Sequence, residues 1–264
     1  MNLYSPPAQA DSYAEYPRRA MLVRRVAGML ERFYPAENDP YRIFEREIAG
    51  HLKADCTLLD AGCGRSAPVL SLFSSRVGRA IGVDSAPFSS SLSDSGMELL
   101  NHELSHIPLP DGSVDIVISR SVVEHLKDPA SAYAEVSRIL KPGGKLIFIT
   151  SNVWSYPILA ARMIPNGFHA AILDWAEGRP RHDTFDTYHR SNSLRAIRKL
   201  ASGAGFEVSS FRYLSAFPHY LMFHPLAFLL GVGYERVISR VGFLAPLRHC
   251  ILGVLTKALT GPAA

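Results

Sequence analysis

The sequence predicts an α/β protein built on a doubly wound parallel sheet with helices on both faces. Short apolar, β-branched runs alternate with helix-forming stretches as far as about residue 155. A glycine-containing turn, "GCG" at residues 62–64, directly follows the first of these runs. The composition, 47% apolar and 20% charged residues, is that of a globular protein with a sizeable core. Strands that alternate with helices in this way form parallel sheets covered on both faces.

The first 152 residues contain most of the predicted strands. Helices are expected to lead into the sheet, the second of them starting just after Pro40, and "KPGG" at residues 141–144 should end a later one. The next strand is expected to start directly after that motif. The predicted helices are 20–33, 41–52 and 128–140, and the predicted strands are 57–61, 80–83, 114–119 and 145–150.

Beyond residue 155 the pattern is less regular. A polar loop, "EGRPRHDTFDTYHRSNS" at residues 177–193, ends in Asn192 or Ser193 as the N-cap of a helix. The other predicted elements are a helix at 157–163, a helix at 193–204, a strand at 206–213, an apolar helical insertion at 218–246 and a final edge strand at 250–255. These patterns predict three regions: a helical lead-in (1–52), a ligand-binding core (53–152) and a third region with the remaining strands and the apolar insertion (153–264). The third region is called the acceptor-side region below, because it is expected to meet the second ligand of the protein, the acceptor.

Charge and cysteine usage exclude several classes of protein. Cys56, Cys63 and Cys250 have no CxxC or zinc-type spacing, so neither a disulfide framework nor a metal site is expected, and a reducing cytoplasm fits best. The net charge of +4 is spread along the chain, which makes nucleic acid an unlikely partner. No signal peptide is recognisable, and the apolar stretches fall short of the roughly 20 residues of a spanning helix.

The glycine turn predicts a ligand site at the carboxyl ends of the strands. Gly62 and Gly64 would let a polar ligand approach the backbone, because no Cβ intervenes. With Ala67 they satisfy G-x-G-x-x-G/A, and Asp84 lies 20 residues after Gly64, where a ribose-binding acid is expected. An NAD(P)-dependent oxidoreductase is one interpretation, although no acid/base pair for hydride transfer is identifiable.

Four motifs in order support a second interpretation. They are "LLDAGCGRS" (58–66), "IGVDSA" (81–86), "IPLPDGSVDIVISRSVVEHLKDP" (107–129) and "ILKPGGKLIFIT" (139–150). Together they resemble the class I S-adenosylmethionine-dependent methyltransferases, in particular the small-molecule branch with the ubiquinone-type methylases. The resemblance implies a seven-stranded Rossmann-like sheet and S-adenosyl-L-methionine as cofactor. It leaves the acceptor open between a small molecule, a glycan and a lipid-linked compound.

The resemblance also implies roles for individual residues. Asp60 would lie beside the methionine end of the cofactor, with Gly62 and Gly64 close to it, while Asp84 would accept hydrogen bonds from both ribose hydroxyls. The remaining expected contacts are Glu103 and Leu104 at the adenine amino group, Ser119 beside the reaction centre, and His125 facing the cofactor, where it is a candidate catalytic residue.

The acceptor is expected to meet the region after residue 152. Tyr188 and His189, in the polar loop with His182, Asp183 and Asp186, are the leading candidates to bind the acceptor and supply a base. The alternative is that this loop only caps the next helix. Residues 216–255 are expected to form a helical insertion, a lipid-acceptor or membrane-surface lobe, or an oligomer interface. A non-catalytic binding protein on the same fold also stays open.

Overall fold

The computed structural model describes residues 26, 28–30, 32–93, 95–163, 187–218, 221–222 and 224–259. The predicted helix at 20–33 lies largely outside this part of the chain, as do His182, Asp183 and Asp186 of the polar loop. The division into lead-in, core and acceptor-side region stays a prediction.

A seven-stranded sheet forms the centre of the fold. Its strands are β1 (Thr57–Ala61), β2 (Arg79–Asp84), β3 (Glu98–Asn101), β4 (Val114–Arg120), β5 (Leu140–Ser151), β6 (Phe206–Leu214) and β7 (Cys250–Lys257). They lie in the order β3-β2-β1-β4-β5-β7-β6, and β3/β2, β2/β1, β1/β4 and β4/β5 are parallel pairs. The strand order reverses between β1 and β4, which confirms the predicted doubly wound fold.

The prediction that residues 250–255 form an edge strand is wrong. β7 lies between β5 and β6, and its first six residues are all buried. A Cβ on Gly253 would lie 2.4 Å from Cζ of Phe148 on β5, so the two strands pack too closely for a larger residue there. An unbroken apolar run is typical of an inner strand covered on both faces. The edge strand on this side of the sheet is β6, which has exposed residues along its length.

Six α-helices have both ends within the described residues: α1 (Pro40–His51), α2 (Pro68–Phe73), α3 (Pro129–Ile139), α4 (Tyr156–Met163), α5 (Leu194–Gly203) and α6 (Pro225–Arg240). Asp128 caps α3 by accepting from the N–H groups of Ala130 and Ser131, and Ser193 caps α5 by accepting from Ala196. α2 packs on β1 and β2, whereas α3 packs on β5 and α5. The sequence patterns missed α2 and β3, which are both short.

The "KPGG" motif ends α3 as predicted but lies inside the next strand rather than before it. β5 already starts at Leu140, opposite Val114, and its pairing with β4 is irregular up to Ile116. Gly143 takes a φ of +78°, the left-handed region that favours glycine. Asp115 supports this end of the sheet, because it accepts from the backbone N–H of Thr57 at 2.8 Å and from Nζ of Lys141 at 2.8 Å.

The chain divides into two compact units. The sheet unit comprises Phe44–Ser151, Thr187–Arg212 and Ile251–Ala264, and the helical unit comprises Met1–Ile43, Asn152–Asp186 and Tyr213–Cys250. Leu58, Ile81, Ile118 and Phe148 are fully buried in the sheet unit, while Val26, Leu30, Met222, Phe228 and Val232 form a core cluster in the helical unit. Across the described residues, no helix has the length and apolar character needed to cross a membrane.

Candidate active site

The glycine turn after β1 is built from two left-handed residues with different surroundings. Gly62 has a φ of +78°, and a Cβ there would lie 2.4 Å from Cγ2 of Val122, so only glycine fits. The N–H of Gly62 donates to the carbonyl of Val83 at 2.8 Å, which joins the turn to the end of β2. Gly64 has a φ of +72° and no atom within 4 Å of its hypothetical Cβ. The turn therefore leaves open space above Gly64.

Asp84, the last residue of β2, holds this turn in place. Its Oδ2 accepts from the N–H of Gly64 at 2.7 Å, and its Oδ1 accepts from the N–H of Ala86 at 2.8 Å. An ionised carboxylate has about four acceptor positions, so two further donors can still bind. Asp84 thus presents free acceptor capacity next to the open space above Gly64, which fits the pair of ribose hydroxyls of the expected cofactor.

Asp60, near the end of β1, lies directly before the glycine turn, and its side chain is buried. Its Oδ2 has no hydrogen-bond partner in the described part of the chain, which is unusual for a buried carboxylate oxygen. Burial raises the pKa of Asp60 to about 7, although the positive charge of Arg120 and a hydrogen bond from the backbone of Leu70 act in the opposite direction. A cationic ligand group would stabilise the charged form, so this residue fits the positively charged methionine end of the cofactor.

The positions of Glu103, Leu104 and Ser119 give less information about a ligand than those of Asp60 and Asp84. Glu103 is exposed and Leu104 half-buried in the loop after β3, and the carboxyl end of β3 meets that of β2 at one edge of the sheet. Ser119 is buried in β4, where its Oγ donates to the carbonyl of Ala61 at 2.9 Å. Its hydroxyl therefore ties β4 to the end of β1. Cofactor contacts by these three residues stay predictions.

The structure brings Tyr188 and His189 next to the segment that follows β4. Their backbone N–H groups donate to the carbonyl of Glu124 at 2.8 and 3.1 Å, and His189 has a left-handed φ of +50°. His125 is half-buried in the adjacent 3-10 turn. Arg190 donates to the carbonyl of Lys127 and lies 5.5 Å from the ring centroid of Tyr188. The three candidate catalytic residues of the sequence therefore share one region of the sheet unit.

A buried polar network lies next to this region, and the sequence patterns do not predict it. Oγ1 of Thr150 donates to Oε2 of Glu124 at 2.6 Å, and Nδ2 of Asn192 donates to Oγ1 of Thr150 at 2.7 Å and to the carbonyl of Ser151 at 2.8 Å. Glu124 is buried, which raises its pKa. Ser191 adds a bond from its Oγ to the carbonyl of Val123. In the sequence, the one signal that could have pointed to this network is that Glu124 directly precedes the candidate residue His125.

No metal centre or disulfide contributes to the described part of this site. Groups of three or more His, Cys, Asp or Glu side chains suited to a metal are absent from the residues that the structure covers. Cys63, between the two glycines, is a free, buried cysteine, and burial raises the pKa of its thiol. It lies against Gly82, whose hypothetical Cβ would be 2.9 Å from the sulfur, so it fills space in the sheet.

Comparison with known proteins supports the family that the sequence motifs resemble. Residues 59–148 match the family described as "Methyltransferase domain". A probable S-adenosylmethionine-dependent methyltransferase of Mycolicibacterium smegmatis is 34% identical over 102 residues, 35% of this chain and 39% of the relative. A ubiquinone biosynthesis O-methyltransferase of Sodalis glossinidius is 31% identical over 121 residues, 39% of this chain and 49% of the relative. Both matches thus span less than half of the relative.

The fold also has counterparts among solved structures. Geranyl diphosphate C-methyltransferase from Streptomyces coelicolor A3(2), solved with Mg²⁺, a geranyl thiolodiphosphate and S-adenosyl-L-homocysteine, superposes with a TM-score of 0.54 at 17% identity over 82% of this chain and 76% of that one. At this identity the likeness concerns the fold alone. The matched domain and the named relatives lead to one conclusion: residues 59–148 form a methyltransferase domain of the class I S-adenosylmethionine-dependent type.

Proposed function

We propose that this protein transfers a methyl group from S-adenosylmethionine to an oxygen, nitrogen or carbon atom of a small-molecule, glycan or lipid-linked acceptor. The observation that carries the proposal is the pairing of Asp84 with Gly64. One carboxylate fixes the turn, keeps acceptor capacity and borders a space that no side chain fills. The matched domain supports the cofactor, whereas the acceptor is argued from the residues alone.

In this proposal three residues hold the cofactor. Asp84 accepts hydrogen bonds from the ribose hydroxyls, and the open space above Gly64 accommodates the cofactor beside the glycine turn. The Oδ2 of Asp60, which has no hydrogen-bond partner among the described residues, faces the methionine end. The bound cofactor supplies a methyl group already activated on a sulfonium. The protein has to align the acceptor with that methyl, and such positioning alone is worth effective molarities on the order of 10⁵ to 10⁸ M.

The acceptor side is assigned to Tyr188 and His189. Their backbone is fixed by Glu124, which is itself fixed by Thr150, so the two side chains project from a rigid support. An unprotonated imidazole can take a proton from an acceptor hydroxyl, and a phenol can orient that hydroxyl. Acceptors that attack through an unprotonated nitrogen would not need this base. His125, half-buried beside them, is the second candidate for the same role.

The first test is a calorimetric titration of the full chain with S-adenosylmethionine, S-adenosylhomocysteine and NAD(H). We expect micromolar binding of the first two and none of NAD(H). Asp84→Ala should weaken binding by at least about a hundredfold, since two charge-assisted hydrogen bonds worth about 1.5 to 3 kcal/mol each are lost. Glu98→Gln is the matched control, because Glu98 is an exposed acid of the neighbouring strand that pairs with Arg79.

Three outcomes would contradict the proposal at different points. Binding of NAD(H) alone would favour the oxidoreductase, and unchanged affinity in a folded Asp84→Ala variant would remove the ribose assignment. Binding of S-adenosylmethionine without transfer of labelled methyl to any hydroxylated lipid, glycan or small phenol would favour a non-catalytic binding protein.

A further inference from the structure

Helix α6 of the helical unit exposes an apolar face. Leu226, Leu229, Leu230 and Val237 are all exposed, Leu230 to 68%, and their spacing places them along one side of the helix. Phe243, in the 3-10 turn at residues 242–247 directly after the helix, is 82% exposed. Large apolar side chains grouped in this way, rather than scattered singly, mark a surface that binds something.

The opposite face of α6 is fully engaged within the helical unit. Phe228 and Val232 belong to the buried core cluster with Met222. Gly231 packs so tightly that a Cβ there would lie 2.6 Å from Cβ of Pro218. The exposed residues are therefore not the result of a loosely packed helix, because the helix is anchored by its other side.

The charges on this surface all have one sign. Glu235 is the only acid between residues 216 and 255, and it is buried. Arg236 and Arg240 are exposed, and Nη2 of Arg236 donates to the carbonyl of Phe33 at 2.8 Å, which fixes its orientation. Exposed leucine, valine and phenylalanine next to arginine, without an exposed carboxylate, is the composition of helices that lie in a membrane interface.

We propose that α6 and the turn after it bind the surface of a membrane that contains anionic lipids, with the helix lying in the plane of the interface. The apolar side chains enter the acyl boundary and the arginines contact anionic headgroups. A second copy of the chain suits this face less well, since neither α6 nor the following turn exposes a carboxylate that could pair with the arginines of the other copy. The proposal does not depend on methyl transfer, because it concerns only the place where the protein works.

The test is co-sedimentation of the full chain with phosphatidylcholine vesicles, with and without phosphatidylglycerol, in the absence of cofactor and acceptor. We expect binding to the anionic vesicles that weakens with salt. Leu230→Ser and Phe243→Ser should each reduce the partition coefficient about tenfold, and Arg240→Gln about fivefold on anionic vesicles only. Leu72→Ser is the matched control, because Leu72 is a half-exposed leucine of the sheet unit.

Because Leu230 and Phe243 are exposed, their variants are expected to melt at the same temperature as the parent, which is checked by circular dichroism. The proposal is overturned if the parent chain does not sediment with anionic vesicles, or if Leu72→Ser reduces binding as much as Leu230→Ser. It is also overturned if light scattering shows a dimer that Leu230→Ser dissociates, since a second copy would then cover this face.

Discussion

The glycine turn and residues 187–193, which are proposed to meet the acceptor and are called the acceptor segment below, lie in the same unit but are held in different ways. The turn is fixed by hydrogen bonds to the end of β2, from the N–H of Gly62 to the carbonyl of Val83 and from the N–H of Gly64 to the carboxylate of Asp84. Its residues are recognisable by type. The acceptor segment is fixed by a buried side-chain network around Glu124. In this network Thr150 donates to Glu124, 26 residues away in sequence, and Asn192 donates to Thr150, 42 residues away. A motif thus reveals both the first region and what holds it, whereas only tertiary contacts reveal what holds the second.

The largest expected difference between the two regions comes from substitutions inside the glycine turn. Gly62→Ala should lower the free energy of unfolding by about 3 kcal/mol or more, because its Cβ would overlap the side chain of Val122 and its φ is left-handed. Gly64→Ala should cost only about 1 kcal/mol, since the space above it is open. Chemical denaturation measures both.

The two glycine variants should differ in a second respect. Gly64→Ala fills the space assigned to the cofactor, so S-adenosylmethionine should bind weakly to a protein that is nearly as stable as the parent. Normal binding by this variant would show that the open space serves something else.

The network around Glu124 should be the next most sensitive feature. Glu124→Ala leaves Thr150 without its acceptor and is expected to lower the free energy of unfolding by about 2 to 3 kcal/mol. Glu124→Gln keeps an acceptor for Thr150 and should cost less. Glu98→Ala, which breaks an exposed ion pair with Arg79, should cost about 1 kcal/mol or less. Equal losses in Glu124→Ala and Glu98→Ala would mean that the network does not stabilise the segment.

The acceptor segment should affect turnover rather than cofactor binding. His189→Asn is expected to lower the rate of methyl transfer by about a hundredfold or more for a hydroxyl acceptor, since a general base typically contributes about 10² to 10⁴. Tyr188→Phe, which removes an orienting hydroxyl, should lower the rate less. Affinity for S-adenosylmethionine, measured by calorimetry, should stay unchanged. His51→Asn, on α1, is the control. A large loss of cofactor affinity would instead make the segment part of the cofactor site.

The smallest expected effect is a pH dependence at the turn. Because the pKa of Asp60 in the folded protein is raised to about 7, its carboxyl is protonated below that pH and charged above it. The cationic methionine end needs the charged form, so affinity should fall by up to about tenfold per pH unit below 7 and level off above it.

The same shift has a consequence for stability with the opposite sign. Burial favours the neutral carboxyl, so the folded state of the free protein loses stability as the pH rises from about 4 through 7. Asp60→Asn should remove both dependences, and titrations in buffers of different ionisation enthalpy count the proton released on binding. A flat affinity profile in the parent would separate Asp60 from the methionine end.

Much of the fold was predictable because local patterns and topology agree. The strands β1, β2 and β4 follow apolar runs, and Ser193 begins α5 as its side chain suggests. The failures have physical causes. β3 is only four residues long, and none of them is fully buried. The prediction of an edge strand at residues 250–255 fails because an apolar run does not show which strands flank it, and strand order is fixed by packing.

The sequence by itself determined the class of fold, the glycine turn and the acid at the end of β2, since each depends on residue type and spacing along the chain. Only the tertiary structure decided that β7 lies inside the sheet, that Glu124 is buried and bonded, and that Tyr188 and His189 lie beside the segment after β4. The reason is that burial and long-range hydrogen bonds depend on which surfaces meet. The local residue pattern of one segment does not show which distant segment will pack against it.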